Sequence, residues 1–327
     1  MATSMLADIT GIGAAARTPY DPVTRLPPGS GTGKVFLVTG GHGGIGLATT
    51  KFLALSGARV LIASRTKSKV DAAIDELVEE HGDEMRARLV HVELDLANLE
   101  QVKRCGQEVL KAERRLDGIV CNAGIMALPY ELTKDGVEQQ FQVNYLGHWL
   151  LVQVLLPLLE STADLAGRPS RVVALSSFAH NFISLYPFAS LSFASLADVN
   201  RTYYSPWIRY SVSKLSAIYF ARELNKRVES GKVKALSVHP GFVSSNLYEA
   251  HPGARPLLKH FIGLNEGAYS SVYAVADPEV EEKALWGEYL VPFCKVKEPR
   301  GGKDAVKEKE LWELSEATIR EKVGEWR

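Results

Sequence analysis

The sequence predicts an α/β protein: a single doubly wound parallel sheet flanked by helices on both faces. Three observations lead there. Short β-branched runs recur along the chain, each followed by a longer stretch of helical period, which is the alternation that βαβ units produce. A glycine cluster stands directly after the first of these runs. Finally, 327 residues that are 46% hydrophobic supply ample material for one large core, without demanding a second domain.

Residues 1–33 read as a Gly/Pro-rich strap, with Pro19, Pro22, Pro27 and Pro28, lying over the domain surface. No basic start followed by an apolar run marks a secretory signal. Few acids, together with Arg17 and Arg25, leave organellar targeting as a second reading. Strands are expected at Val35–Thr39, Arg59–Ala63, Arg88–Leu94, Gly118–Cys121, Arg171–Ser176 and Lys234–His239, with a weak edge strand at Glu288–Val291. The intervening helices are expected at Ile45–Leu55, Lys67–Glu80, Leu99–Glu113, Gly136–Leu159, Tyr210–Glu229 and Glu266–Ala276. Residues 34–296 form the main domain, with an insert at 178–209. The charged tail, 297–327, carries Leu311, Leu314 and Ile319 as the apolar stripe of a helix docked on the surface.

Composition excludes several classes of partner. Lys plus Arg and Asp plus Glu both number 38, so no field of one sign would draw nucleic acid or an anionic membrane. Cys105, Cys121 and Cys294 are too few and too scattered for a disulfide framework, which points to a reducing compartment, the cytoplasm, with an organelle matrix as the alternative. Phe141–Leu159 is apolar enough to raise the question of a membrane span. Asn144, His148, Gln153 and Pro157 interrupt it, and a buried helix is expected instead. Its apolar residues make Asn144–Leu159 the candidate interface of a homodimer.

After the first strand stands Thr39-Gly40-Gly41-His42-Gly43-Gly44-Ile45-Gly46. Glycines let a backbone approach a pyrophosphate, and a following helix N-terminus presents unpaired N–H groups to it. The spacing of Gly40, Gly44 and Gly46 is G-x-x-x-G-x-G, and the strand before and helix after carry more weight than the glycines alone. At the end of the second strand, Ala63-Ser64-Arg65-Thr66-Lys67 offers no carboxylate to a ribose 2′-hydroxyl. Ser64 and Arg65 instead suit a 2′-phosphate, so the expected cofactor is NADP(H); an ordinary solvated helix start reads the same way. Asp95-Leu96 follows the third strand as an adenine-side acid or a helix cap, and Asn122-Ala123-Gly124 follows the fourth as a ribose approach or a turn.

Tyr210-Ser211-Val212-Ser213-Lys214 sets a phenol and an ammonium one helical turn apart. A nearby cation stabilises phenolate and suits the phenol to proton exchange with a carbonyl or alcohol. Upstream, a strand ends in Ser176-Ser177, a hydroxyl source for the same carbonyl oxygen. Asn144 is an amide in an otherwise apolar helix: either a satisfied core polar group, or a kink that holds a water and relays protons to Lys214. His42, His180 and His239 show no metal-ligand spacing, and no metal is expected.

In this order the motifs resemble those of the classical short-chain dehydrogenases/reductases, over about residues 34–292. The resemblance implies a Rossmann-type catalytic domain in which Thr39 through Gly46, including His42, Gly43 and Ile45, is the cofactor glycine motif. It also implies that Asn144, Ser177, Tyr210 and Lys214 form the catalytic tetrad, with Tyr210 and Lys214 also at the cofactor. His239-Pro240-Gly241-Phe242-Val243 resembles the nicotinamide loop, and Ser245 stands where the family usually has a threonine. Thirty-three positions separate Ser177 from Tyr210, more than is usual in the family, because the insert lies between them. With the Ala63-Ser64-Arg65 strand end, this resembles the branch of retinol dehydrogenases and WW-domain oxidoreductases. Ser177 is preferred to Ser176 because the family generally uses the second of such a pair.

The expected activity is hydride transfer between NADP(H) and a bulky apolar ketone, aldehyde or secondary alcohol. The expected substrate wall comes from Phe178, Phe182, Ile183, Leu185, Tyr186, Phe188, Phe193, Tyr203, Tyr204 and Trp207, with Phe242, Leu247 and Tyr248 as a second wall; packing of the insert explains the aromatic residues equally well. Two rivals are a retinoid- or steroid-like lipid dehydrogenase and a non-catalytic NADP-binding regulator. The intact Ser177, Tyr210 and Lys214 argue against the second.

Overall fold

A computed structural model describes residues 20–185, 191–203, 205–228, 230–245, 247 and 261–326. Eight strands form one sheet: β1 (Val35–Thr39), β2 (Arg59–Ser64), β3 (Leu89–Glu93), β4 (Gly118–Cys121), β5 (Ser170–Leu175), β6 (Val233–Val238), β7 (Tyr289–Val291) and β8 (Lys295–Val296). Their order is β3-β2-β1-β4-β5-β6-β7-β8. The first seven run parallel and β8 is antiparallel to β7. The order reverses between β1 and β4, the switch point where open α/β sheets bind ligands. Each of the seven expected strands forms with ends within one residue of expectation. The sequence reading missed β8, whose turn is made by Phe293 and Cys294 at φ of 62° and 64°, a left-handed conformation that glycine or asparagine would have advertised.

The longer helices are α1 (Gly44–Leu55), α2 (Lys67–His81), α3 (Leu99–Ala112), α4 (Gly147–Ala166), α5 (Pro206–Arg227), α6 (Leu264–Ala276) and α7 (Ala305–Val323). Alternation along β1 divides the core: Leu37 faces the layer of α3, α4, α5 and α7, whereas Phe36 and Val38 face α1, α2 and α6. Helix α5 begins four residues before the expected Tyr210, because Ser205 caps it by accepting from the Trp207 N–H and Pro206 follows at the first turn, a strong start signal. Glu229, its expected end, lies outside the described residues. The helix expected from Gly136 starts at Gln139, passes through a π-turn at Gln142–Leu146 and continues as α4.

The stretch Gln139–Ala166 is long and apolar enough to cross a membrane by composition, yet 67% of its apolar window is buried within the fold. Most of that cover is α3 and the sheet, and the C-terminal tail adds to it at Trp149. Trp312 and Trp326 meet Trp149 of α4 edge-on, with ring centroids 5.3 and 5.6 Å apart. Leu311 and Ile319 join the same core and Leu314 packs against it. The buried Glu308 pairs with Arg222 and Lys226 of α5. The tail thus covers, at Trp149, the apolar helix expected to serve a subunit interface. Within the strap, the Arg25 guanidinium forks onto Asp277 at 3.0 and 2.8 Å; Arg17 and Pro19 lie outside the described residues.

Candidate active site

The glycine turn rests on the Asn122-Ala123 segment at the switch point. A Cβ on Gly46 would stand 2.3 Å from the Gly40 carbonyl oxygen and 2.5 Å from Asn122 Nδ2, and Gly40 itself has a φ of +64°. Neither position accommodates a side chain. On the other side the turn is open. A Cβ on Gly43 would meet nothing within 4 Å, and Gly43 caps α1 without any side-chain acceptor, so the first-turn N–H groups of α1 remain for a ligand. These features fit a dinucleotide pyrophosphate.

A single hydroxyl ties this turn to the interior. Thr39 Oγ1 accepts from the N–H groups of Asn122 and Ala123, both at 2.9 Å, and lies 2.8 Å from His148 Nε2. With both lone pairs occupied it donates to the imidazole. His148 therefore carries its proton on Nδ1, which donates to the Asn144 carbonyl at 3.2 Å. Asn122 Nδ2 donates to the Thr39 carbonyl at 2.8 Å, which ties the ends of the neighbouring strands β1 and β4 together.

At the end of β2, Ser64 is buried and Arg65 exposed. The half-buried His42 is held below the usual imidazole range first by burial and then by the positive charges of Lys69, Arg65 and His91. Four basic groups thus converge on one strand end, and Lys69 escaped the sequence reading because it lies a turn into α2. Asp95 folds into a local turn, its Oδ1 accepting from the Ala97 N–H at 3.0 Å, and Leu96 packs beside Gly147.

Two members of the expected tetrad, Asn144 and Lys214, meet beside Gly124. A Cβ there would stand 3.1 Å from Asn144 Oδ1 and 3.4 Å from Lys214 Nζ. Lys214 is buried, donates to the Leu175 carbonyl at 3.0 Å and sits 5.6 Å from the Tyr210 ring centroid. Burial lowers its ammonium to about 8, so it still holds its proton at neutral pH. Asn144 lies in the π-turn, which is the kink expected of it. Its side chain, however, is fully engaged: it accepts from the Ile125 N–H at 2.8 Å and donates to the Ile125 carbonyl and Ser213 Oγ, each at 2.9 Å. The two serines differ plainly. Ser176 is buried and donates to the Lys214 carbonyl at 2.7 Å, whereas Ser177 is half-buried and accepts from the Ala179 N–H, which leaves its proton available.

Ser177 and Tyr210 border a cavity of about 530 Å³ together with Phe178, Phe182, Trp207, Met126, Phe242 and Phe261. Pro240, Gly241, Val243, Ser245 and Ile45 line it too, and Ser245 lies next to Gly44, so the loop after β6 meets the glycine turn there. Of the expected walls, Phe178, Phe182, Trp207, Phe242 and Leu247 take part. Phe193 belongs instead to the main core, with Ile183 and Tyr203 packed against it. The side chain of Leu185 and all of Tyr186, Phe188, Tyr204 and Tyr248 lie outside the described residues. Met126 and Phe261 were not foreseen: Met126 follows the Asn122-Ala123-Gly124 segment closely, a signal that was available, whereas Phe261 reaches the cavity only through the pairing of Val243 with Ile262.

Comparison with known proteins gives one consistent result. Residues 34–188 match the short chain dehydrogenase family. The chain is 37% identical to human retinol dehydrogenase 14 over 345 residues, covering 97% of each, and 35% identical to human WW domain-containing oxidoreductase over 302 residues, covering 90% of this chain and 70% of the relative. Among solved structures, a putative uncharacterized protein from Mycobacterium paratuberculosis superposes with a TM-score of 0.68 at 30% identity, over 93% of this chain and 98% of that one.

Two buried imidazoles give the site a pH signature. Burial depresses His148 to about 3 and His180, whose Nδ1 donates to the Ser177 carbonyl at 2.6 Å, to about 4, from an ordinary 6.5. Both are neutral in the fold, so below 6.5 the unfolded chain binds protons that the native chain refuses, and stability present above 6.5 is lost as pH falls toward 4 and then 3. Each site contributes up to about 1.4 kcal/mol per pH unit in that window. Urea midpoints measured from pH 7 to 5 should fall, and His148→Asn should flatten the slope; an unchanged slope in that variant would show that His148 takes up its proton as readily in the fold as in the unfolded chain.

Proposed function

The chain belongs to the short-chain dehydrogenase family, an oxidoreductase by descent, and from that premise we propose that it reduces bulky apolar ketones or aldehydes, or oxidises the matching secondary alcohols, with NADP(H). The observation that carries this reading is the cavity, in which Ser177 and Tyr210 stand among aromatic walls and no charged side chain occurs among the described lining residues. A substrate carrying a carboxylate or phosphate would be desolvated against these walls, which offer it no cation among the described residues. A neutral, largely apolar carbonyl compound fits.

Gly40, Gly43, Gly44 and Gly46 would take the pyrophosphate, Asp95 the adenine side, Asn122-Ala123-Gly124 and Lys214 the riboses, and Pro240, Gly241, Val243 and Ser245 the nicotinamide end. The bound cofactor supplies the hydride. In reduction, Ser177 donates a hydrogen bond to the substrate oxygen and Tyr210 delivers a proton to it, with the Lys214 ammonium stabilising the phenolate left behind. Asn144 braces the Ile125 segment against α5 and thereby sets where Lys214 lies. The likeness to a protein named retinol dehydrogenase, together with the apolar cavity, favours a lipid-like alcohol or aldehyde as one substrate class, which turnover of retinoid-like and steroid-like compounds beside simple ketones tests. We place the enzyme in the cytoplasm, a reducing compartment that suits its three unpaired cysteines.

The two serines separate in their effects. Ser177→Ala removes a donor to the developing oxyanion and should lower kcat by about 10²–10³. Ser176→Ala should cost about 1 kcal/mol of stability, since it removes one buried hydrogen bond, with kcat changed far less. The reverse ranking in steady-state kinetics would move the donor to Ser176.

Cofactor choice makes an independent claim. A 2′-phosphate brings close to two negative charges, and its pairing with Arg65 should be worth about 1.5–3 kcal/mol, a ten- to hundredfold preference for NADPH over NADH. In the ratio of catalytic efficiencies at fixed ketone, Arg65→Ala should erase much of that preference, Lys69→Ala a part, and Ser64→Asp should shift it toward NADH. A native preference for NADH, or a ratio indifferent to Arg65, would refute the assignment.

A further inference from the structure

The residue before Tyr210 is a buried arginine. Arg209 reaches away from the cavity into a knot of polar groups. Its Nε lies 3.1 Å from Glu138 Oε1 and its Nη2 2.8 Å from the Leu128 carbonyl; its Nη1 donates to the Thr202 carbonyl. Both members of the ion pair are almost completely buried, with side chains 4% and 1% exposed. A buried pair of this kind is weak evidence of stability, because desolvation offsets attraction, and its best-attested use is to fix one arrangement among several.

Here the pair joins three segments that sequence keeps apart. Leu128 lies on the segment after β4 that also carries Met126. Thr202 lies in the insert, just before Ser205 and Trp207. Glu138 heads the helix that leads into the π-turn, its second oxygen accepting from the Phe141 N–H at 2.8 Å and its own N–H donating to Asn200 Oδ1 at 2.8 Å. Gln140 repeats the pattern, accepting from the Ala127 N–H at 2.7 Å and donating to the Pro206 carbonyl at 3.2 Å. Ala127 is held at a φ of +48°, a left-handed conformation unfavourable to alanine that needs such a tether. Met126, Ser205, Trp207 and Tyr210, the cavity residues that these segments carry, come from both sides of the clamp.

We propose that Arg209 and Glu138 are positioning residues that fix the distance between the Met126 segment and the Ser205–Trp207 arm of the insert, and thereby determine how bulky a carbonyl substrate the cavity accepts. Neither touches substrate. Arginine is required because its planar fork reaches a carboxylate and two carbonyls at once, which a lysine ammonium does not do with the same geometry.

The inference rests on the proposed carbonyl reduction, and the test separates the two. Purified native protein and the variants Arg209→Lys, Arg209→Met and Glu138→Gln are assayed with NADPH against a small aliphatic ketone and a bulky aromatic ketone, alongside NADPH affinity by fluorescence. Native turnover of either ketone supports the activity itself. The clamp is supported if kcat/KM for the bulky ketone falls by about tenfold or more relative to the small one, chiefly through KM, with NADPH affinity unchanged and Glu138→Gln milder than Arg209→Met because the amide oxygen still accepts from one of the two partners. Equal losses on both ketones, or none, would overturn it. Should Arg209→Met fail to fold, Arg209→Lys and Glu138→Gln read the same ratio with a milder change to the buried pair.

Discussion

The Thr39 hydroxyl has one proton and two lone pairs, and all three are used. Two lone pairs take the N–H groups that open the segment after β4, and the proton goes to an imidazole on α4. Because that imidazole is buried and neutral, its other nitrogen reaches the carbonyl of Asn144 in the π-turn. One side chain at the end of β1 therefore sets the spacing between the glycine turn, the Asn122-Ala123-Gly124 segment and the helix that braces Ile125 and α5. Lys214 and Asn144 stand beside Gly124, the residue that directly follows the two N–H groups held by this hydroxyl.

Much of this was legible in the sequence, for physical reasons. Parallel strands buried on both faces write themselves as apolar β-branched runs, and the seven that were expected formed within a residue of their expected ends. The site residues near strand ends were legible because the switch-point geometry assigns them in advance. What escaped depends on contacts between distant segments. Thr39 looked like the last residue of a strand, and nothing local showed that its hydroxyl would meet His148, 109 positions away. Lys69 looked like a solvated helix residue. The tail was read as an amphipathic helix on the surface, but Trp312 and Trp326 carry it into the core beside Trp149.

The insert supplies part of the cavity wall without altering the Tyr210–Lys214 spacing. It lengthens the path from Ser177 to Tyr210, yet Ser205 and Pro206 restart the helix cleanly, so the phenol and the ammonium keep their one-turn spacing. What the insert changes is the wall: Phe178, Phe182 and Trp207 enlarge the apolar side of the cavity, and Met126 closes it from across the sheet edge. On the proposed reading, substrate choice and proton transfer lie on different parts of the chain, joined where Arg209 stands next to Tyr210.

The central claim is that Tyr210, beside the buried Lys214 ammonium, is the acid that protonates the substrate oxygen. Tyr210→Phe removes the phenolic hydroxyl and keeps the ring that packs against Trp207, so it isolates that role. The measurement is steady-state turnover of a bulky ketone with NADPH by the native protein and this variant, paired with NADPH affinity in both. The account predicts a loss of about 10²–10⁴ in kcat, the usual worth of a positioned general acid, with cofactor affinity nearly unchanged. Substantial turnover in the variant would place the acid elsewhere and contradict it.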